Sequence, residues 1–225
     1  MLKKIISRTK IFSLNRKYNP KIFCIGRNKT GTTSLEKAFI DLGYAMGNQQ
    51  KAELLLPHYI NNNFKPIIDY ARSARVFQDS PFSYPETYKH LDKAYPGSKF
   101  ILTIRDSPEQ WYKSIIAFHA GIFGHGQIPT AEDLKNAGYV YKGWIWQLNS
   151  FLYKTPENDP YNREMLMAHY EKHNRDIMEY FEGRNDLLVI NISQPGSYHM
   201  FCNFIGNKPL YKEFPWENRT STLLL

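Results

Sequence analysis

The stretch Ile22-Phe23-Cys24-Ile25-Gly26-Arg27-Asn28-Lys29-Thr30-Gly31-Thr32-Thr33-Ser34 constrains the fold more than any other part of the chain. Its apolar start reads as a buried strand, two glycines five apart bound a loop, and Leu35, Phe39 and Leu42 then recur at helical spacing before Gly43 ends the helix. Strand, glycine loop and helix in that order form a cradle for a phosphate or sulfate. Backbone amides approach the anion where glycine carries no side chain, and the helix start offers unpaired N–H groups with the positive end of its dipole. Lys29 adds a full charge, and Thr32, Thr33 and Ser34 add hydroxyl donors. The nucleotide-triphosphatase form of this loop puts its lysine directly after the second glycine. Here Thr32 stands at that position and the lysine lies inside the loop, which points to a different anion.

The rest of the chain repeats the alternation. Residues 74–78 suggest a second strand ending at Asp79-Ser80-Pro81, and Lys99 to Ile104 (KFILTI) is a near-continuous apolar run of the kind parallel sheets bury on both faces. Ser107 as N-cap, Pro108 at the first helical position and Gln110 two residues on predict a capping-box helix running through Trp111, Ile115 and Phe118. From Gly121 to Pro160 the alternation breaks, with a helical portion around residues 142–152. Asp159-Pro160 then opens a long helix to Phe181, closed by Gly183, followed by a strand over 187–192 and a short helix near 197–205. This order predicts an α/β fold: a P-loop-type parallel sheet flanked by helices, in a single domain, with ligands at the carboxyl ends of the strands.

Charge divides the chain. Residues 1–21 hold seven lysines and arginines and no acid, which leaves the remainder near neutrality at +1 of the total +8. Residues 1–20 therefore read as a basic N-terminal tail and 21–225 as the folded domain. Such a tail is most often a solvated terminus; weak contact with a membrane surface or a polyanion is the minority reading. No run of 18 apolar residues or signal-peptide core is present, so the expectation is a cytoplasmic protein without a transmembrane segment. Cys24 and Cys202 lie in apolar segments and are expected to be buried free thiols, and no spacing suggests a metal site.

A second constellation is Arg105, at the carboxyl end of KFILTI, with Ser114 in the following helix. An arginine beside a helix start is suited to fork onto a second phosphate. Arg105-Asp106 fits a strand-end ion pair equally well, and the residues alone leave both readings open.

Taken together these segments resemble the sulfotransferases that use 3′-phosphoadenosine 5′-phosphosulfate (PAPS). Lys29-Thr-Gly-Thr-Thr-Ser-Leu35 is similar to their 5′-phosphosulfate loop, K-x-G-T-T, and Lys99 to Ser114 to their 3′-phosphate segment. The likeness extends through Gln78 to Pro81 and the Asp159 to Ile192 region. The arginine-to-serine separation is nine residues where the family usually has eight, and Lys113 occupies the eighth position. The resemblance implies a donor site of Arg27, Asn28, Lys29, Thr30, Gly31, Thr32, Thr33 and Ser34 around the 5′-phosphosulfate, with Lys29 acting on the bridging oxygen. Arg105 and Ser114 would hold the 3′-phosphate, and no metal would be required.

Family members place a base after the second strand, a position Asp79 occupies. As a turn cap before proline, Asp79 has an equally common structural role, and His58, His119 and His125 stand in reserve. The Gly121 to Pro129 region with Tyr139, Tyr141, Trp144 and Trp146 would floor a small-molecule, glycan or peptide acceptor, although both tryptophans suit a core. Phe214 to Thr220 resembles the family's closing segment. The expected activity is sulfuryl transfer from PAPS to a hydroxyl or amine, without a nucleic-acid partner. The alternatives are a P-loop kinase or nucleotide hydrolase, and a non-catalytic module binding polyanions through the basic tail.

Overall fold

Residues alternate about the first strand: Phe23 and Ile25 pack into one apolar cluster, Ile22 and Cys24 into another. The third strand repeats this, with Phe100 and Leu102 on the first side and Ile101 on the second, as the period of two in an extended chain requires. A computed structural model describes residues 20–215. In it β1 (Ile22–Cys24), β2 (Val76–Phe77), β3 (Lys99–Thr103) and β4 (Leu187–Ile190) form a parallel sheet in the order β2-β1-β3-β4. Phe23 lies opposite Phe77 and Phe100, and Ile101 opposite Leu188. Helices cover both faces, the solution that lets a parallel sheet bury its apolar strands.

On one face lie α1 (Thr32–Asp41) and α10 (Ser197–Ile205), contributing Leu35, Phe39, Tyr198 and Phe201. The remaining helices among the described residues pack on the other side. They are α2 (Gln49–Glu53), α3 (Leu56–Ile60), α4 (Lys65–Tyr70), α5 (Thr87–Ala94), α6 (Pro108–Phe123), α7 (Ala131–Asn136), α8 (Trp144–Tyr153) and α9 (Arg163–Tyr180). The fold is thus a single α/β domain with a four-stranded parallel sheet flanked by helices. Cys24 and Cys202 are buried and free within the same cluster.

Several elements depart from the sequence reading. The long helix begins at Arg163, capped by the Asn162 side chain, and not at Asp159. Ser107 caps α6 as expected, accepting from the Gln110 amide at 3.1 Å, but the Gln110 side chain bonds Asp106 instead of closing the box on Ser107. Lys21, whose charge is summed with those of residues 1–20 but which the sequence reading places at the start of the folded domain, is 1% exposed, and its ammonium donates to the Ala74 carbonyl at 2.6 Å. Burial pushes its pKa down to about 8. Phe214 is buried against Tyr198 and Phe201 in the α10 cluster, whereas Trp216 to Thr220 lie outside the described residues. Among the described residues no helix is long and apolar enough to cross a membrane.

The order β2-β1-β3-β4 means the chain leaves β1 toward one edge and returns past it to β3. The carboxyl ends of β1 and β3 therefore flank a topological switch point, where open parallel sheets form their ligand crevice.

Candidate functional site

A cavity of about 440 Å³ opens at that point, within the range of small-molecule sites. Every strand supplies its carboxyl end: Asn28, Lys29 and residues 31–34 follow β1, Asp79 and Ser80 follow β2, Arg105 follows β3 and Ile192 follows β4.

Two glycines shape the loop. Gly26 sits so close to β3 that a Cβ there would lie 2.2 Å from Thr103 Oγ1 and 2.5 Å from its carbonyl oxygen. Gly31 has φ +99°, and its Cβ would meet Ile192 Cδ1 at 2.1 Å. It is also the N-cap of α1, which has no side-chain cap. The first N–H groups of α1 therefore lack intrahelical acceptors and stand at the cavity wall formed by Thr32, Thr33 and Ser34.

Lys29 has φ +65°, a left-handed conformation that costs a non-glycine residue about 1–2 kcal/mol. Tertiary bonds hold it there. Arg105 Nε donates to the Lys29 carbonyl at 2.7 Å, and Trp111 Nε1 donates to the preceding Asn28 carbonyl at 3.0 Å. Trp111 stacks on Tyr170 at 4.8 Å, and the Tyr170 hydroxyl accepts from the Arg105 amide at 2.8 Å. Helices α6 and α9 thereby clamp the loop and the end of β3 as one unit. Lys29 Nζ rests 3.8 Å from the centre of the Phe118 ring in a cation–π contact. Burial, then the charge of Arg105, lowers the Lys29 pKa, and Asp79 opposes them. Arg105 lines the same cavity, and its two terminal nitrogens have no hydrogen-bond partner among the described residues.

Trp111, Ser114 and Phe118 follow helical spacing on α6, so Ser114 lies on the stripe that faces the loop. Its Oγ is buried without a partner, although Ser114 does not itself line the cavity. Lys113 turns outward, with its side chain 74% exposed and paired with Glu109 at 3.5 Å. The ninth position, not the eighth, faces inward.

Arg27 and Thr30 are placed differently from the sequence expectation. The Arg27 side chain runs into the interior, donating to the Ser83 carbonyl at 2.9 Å and the Tyr153 hydroxyl at 3.2 Å. Thr30 donates to the Arg27 carbonyl at 2.5 Å and bonds Thr103 Oγ1 at 2.6 Å, fastening the loop to β3. Neither side chain lines the cavity. Asn28, Lys29, Gly31, Thr32, Thr33 and Ser34 do.

Asp79 faces the cavity at φ +52°, and its Oδ1 accepts from the Ser80 amide at 2.8 Å. Burial raises its pKa, opposed by the Ser80 N–H, Arg27 and Lys29. Of the three histidines, His119 alone reaches the cavity, while His58 and His125 are exposed away from it. His119 is held through Nδ1 by the Tyr161 hydroxyl at 2.8 Å, and burial together with Lys29 pushes its pKa down to about 3, leaving a weakly basic neutral ring. Tyr139 and Trp144 line the cavity; Tyr141 and Trp146 do not.

Sequence reasoning did not find Glu53. It is 8% exposed, sits at the end of α2 and lines the cavity beside Asp79. Its segment has neither motif nor long periodicity, so the sequence carried no signal for it. The roles of Trp111 and Tyr170 as braces were equally hidden: Trp111 read only as a helix position, and nothing in the sequence singled out Tyr170.

Comparison with curated proteins found no match. The family model described as sulfotransferase domain matches residues 21–223, nearly the whole chain and all four strands that build the cavity. The chain therefore belongs to the sulfotransferase-domain family and is a sulfuryl-transferring enzyme.

Proposed function

We propose that the donor is PAPS and that the acceptor is a hydroxyl or amine of a small molecule bound in the inner part of the cavity. The observation that supports this is a second group of unpartnered donors beside the first. Beyond the α1 cradle stand the unpaired end of Arg105 and, on the loop-facing stripe of α6, an orphaned Ser114 hydroxyl. A nucleotide phosphorylated at both the 5′ and 3′ positions uses both; a nucleoside triphosphate uses one.

The bound donor supplies a sulfuryl group on a phosphate leaving group. In this reading the uncapped amides of α1, with Thr32, Thr33 and Ser34, hold the 5′-phosphate, and Arg105 and Ser114 hold the 3′-phosphate. Lys29 moves from Phe118 to the bridging oxygen and stabilises the negative charge that gathers there as the sulfur–oxygen bond breaks. Asp79 accepts the proton of the acceptor as the new bond to sulfur forms. Its raised pKa makes it a stronger base than a solvated carboxylate. The leaving electron pair stays on the 5′-phosphate, so the products are the sulfated acceptor and adenosine 3′,5′-bisphosphate.

Calorimetry with adenosine 3′,5′-bisphosphate and with ATP tests this reading. Binding of the bisphosphate without Mg²⁺, tighter than ATP, is expected; tighter Mg²⁺-dependent ATP binding would overturn it. Lys29→Met in a labelled-donor assay should lower kcat by roughly 10²–10³ while keeping bisphosphate affinity.

A further inference from the structure

The cavity is electrically divided. Lys29 and Arg105 lie at the ends of β1 and β3, whereas Asp79 and Glu53 share the wall beyond β2. Glu53 is held as a deliberate feature of that wall. Its backbone carbonyl accepts from Trp144 Nε1 at 3.1 Å, and its Oε1 accepts from the Tyr139 hydroxyl at 3.2 Å and from Gln49 Nε2 at 3.5 Å. The same Gln49 nitrogen donates to the Ser80 carbonyl at 3.0 Å, tying the helix that carries Glu53 to the turn that carries Asp79. Glu53 Oε2 accepts no hydrogen bond among the described residues, although the residue is more than nine-tenths buried and faces the cavity. That oxygen opens on the cavity, where a donor, best of all a cation, can complete the carboxylate. The rings of Tyr139 and Trp144, both bonded to Glu53, line the cavity with those of Phe118 and Phe123. Aromatic faces accept an apolar scaffold and attract a cation in the same space.

We infer that the acceptor is a cationic amphiphile, an apolar or aromatic scaffold bearing a protonated amine, with Glu53 binding the amine while Asp79 faces the reacting group. This rests on the sulfotransferase reading and adds the acceptor class to it. The division of charge gives the selectivity a physical basis: the acidic wall repels carboxylated or already sulfated acceptors, while the basic end keeps the anionic donor.

The test is calorimetry on the full chain saturated with adenosine 3′,5′-bisphosphate, titrated with tyramine, 4-ethylphenol and 4-hydroxyphenylacetate, which share a phenol and differ in charge. Tyramine should bind roughly tenfold or more tighter than 4-ethylphenol, with 4-hydroxyphenylacetate weakest. In Glu53→Gln the preference for tyramine should vanish while the bisphosphate still binds. Equal or tighter binding of 4-ethylphenol, or a tyramine preference that survives Glu53→Gln, overturns the inference. The wild-type series decides alone if that variant does not fold. Failure of the bisphosphate itself to bind sinks the donor assignment together with this inference, whereas bisphosphate binding with a neutral preference sinks the acceptor class only.

Discussion

Ser114→Ala should strengthen the fold and weaken the donor site at once. The Ser114 Oγ is buried with no partner, and an orphaned hydroxyl costs about 1–3 kcal/mol. Alanine also gains up to about 0.5 kcal/mol of helix propensity inside α6. Allowing for relaxation around the hydroxyl, the ligand-free variant should be about 1–2 kcal/mol more stable, which for a chain of this length raises Tm by about 2–8 °C. The nucleotide-bound state moves the other way. A hydrogen bond to a charged phosphate is worth about 1.5–3 kcal/mol, so affinity for adenosine 3′,5′-bisphosphate should fall roughly 10- to 100-fold. AMP, which lacks the 3′-phosphate, should bind both proteins alike. Thermal unfolding without ligand and calorimetry with the two nucleotides read these quantities. A lower Tm with unchanged bisphosphate affinity would make Ser114 an ordinary packing residue and refute the reasoning, as would equal losses for both nucleotides.

Three further outcomes follow from the same geometry. Arg105→Lys keeps the charge but loses the fork, so bisphosphate affinity should drop by about 2–4 kcal/mol relative to AMP; equal losses would assign Arg105 to bracing the Lys29 carbonyl alone. Asp79→Asn should lower kcat by roughly 10²–10⁴ and yet raise Tm at neutral pH, because asparagine tolerates the left-handed backbone and can still accept from the Ser80 amide. Burial raises the folded-state pKa of Asp79 above its unfolded value, so its contribution to stability is complete below the unfolded value and is lost as pH rises through the folded one. The Tm advantage of the variant should accordingly disappear in acid, and the wild-type kcat/KM profile should show an acid limb above the usual carboxylate range. Gly26→Ala should cost about 3 kcal/mol in urea unfolding, since its Cβ would meet the Thr103 backbone, which cannot swing aside.

The sheet and its ligand edge were legible because parallel strands buried on both faces leave continuous apolar runs, and KFILTI appears as β3 almost residue for residue. The loop was legible because an anion cradle needs glycine where backbone passes close to backbone, which Gly26 and Gly31 both satisfy. The short helices between residues 49 and 70 were not, because five- and six-residue helices carry too little periodicity and are held by tertiary contacts.

The sequence by itself determined the order of strand, loop and helix, the carboxyl-end placement of Lys29, Asp79 and Arg105, and the family to which that order belongs. Only the tertiary structure decided which way each side chain turned. Arg27 and Thr30 stand one or two residues from Lys29, yet the guanidinium end of Arg27 bonds Ser83 and Tyr153 and the Thr30 hydroxyl bonds Thr103, while Glu53, distant in sequence, enters the cavity wall. Local patterns encode backbone periodicity, but a loop side chain points where its buried polar atoms find partners, and those partners come from remote parts of the chain.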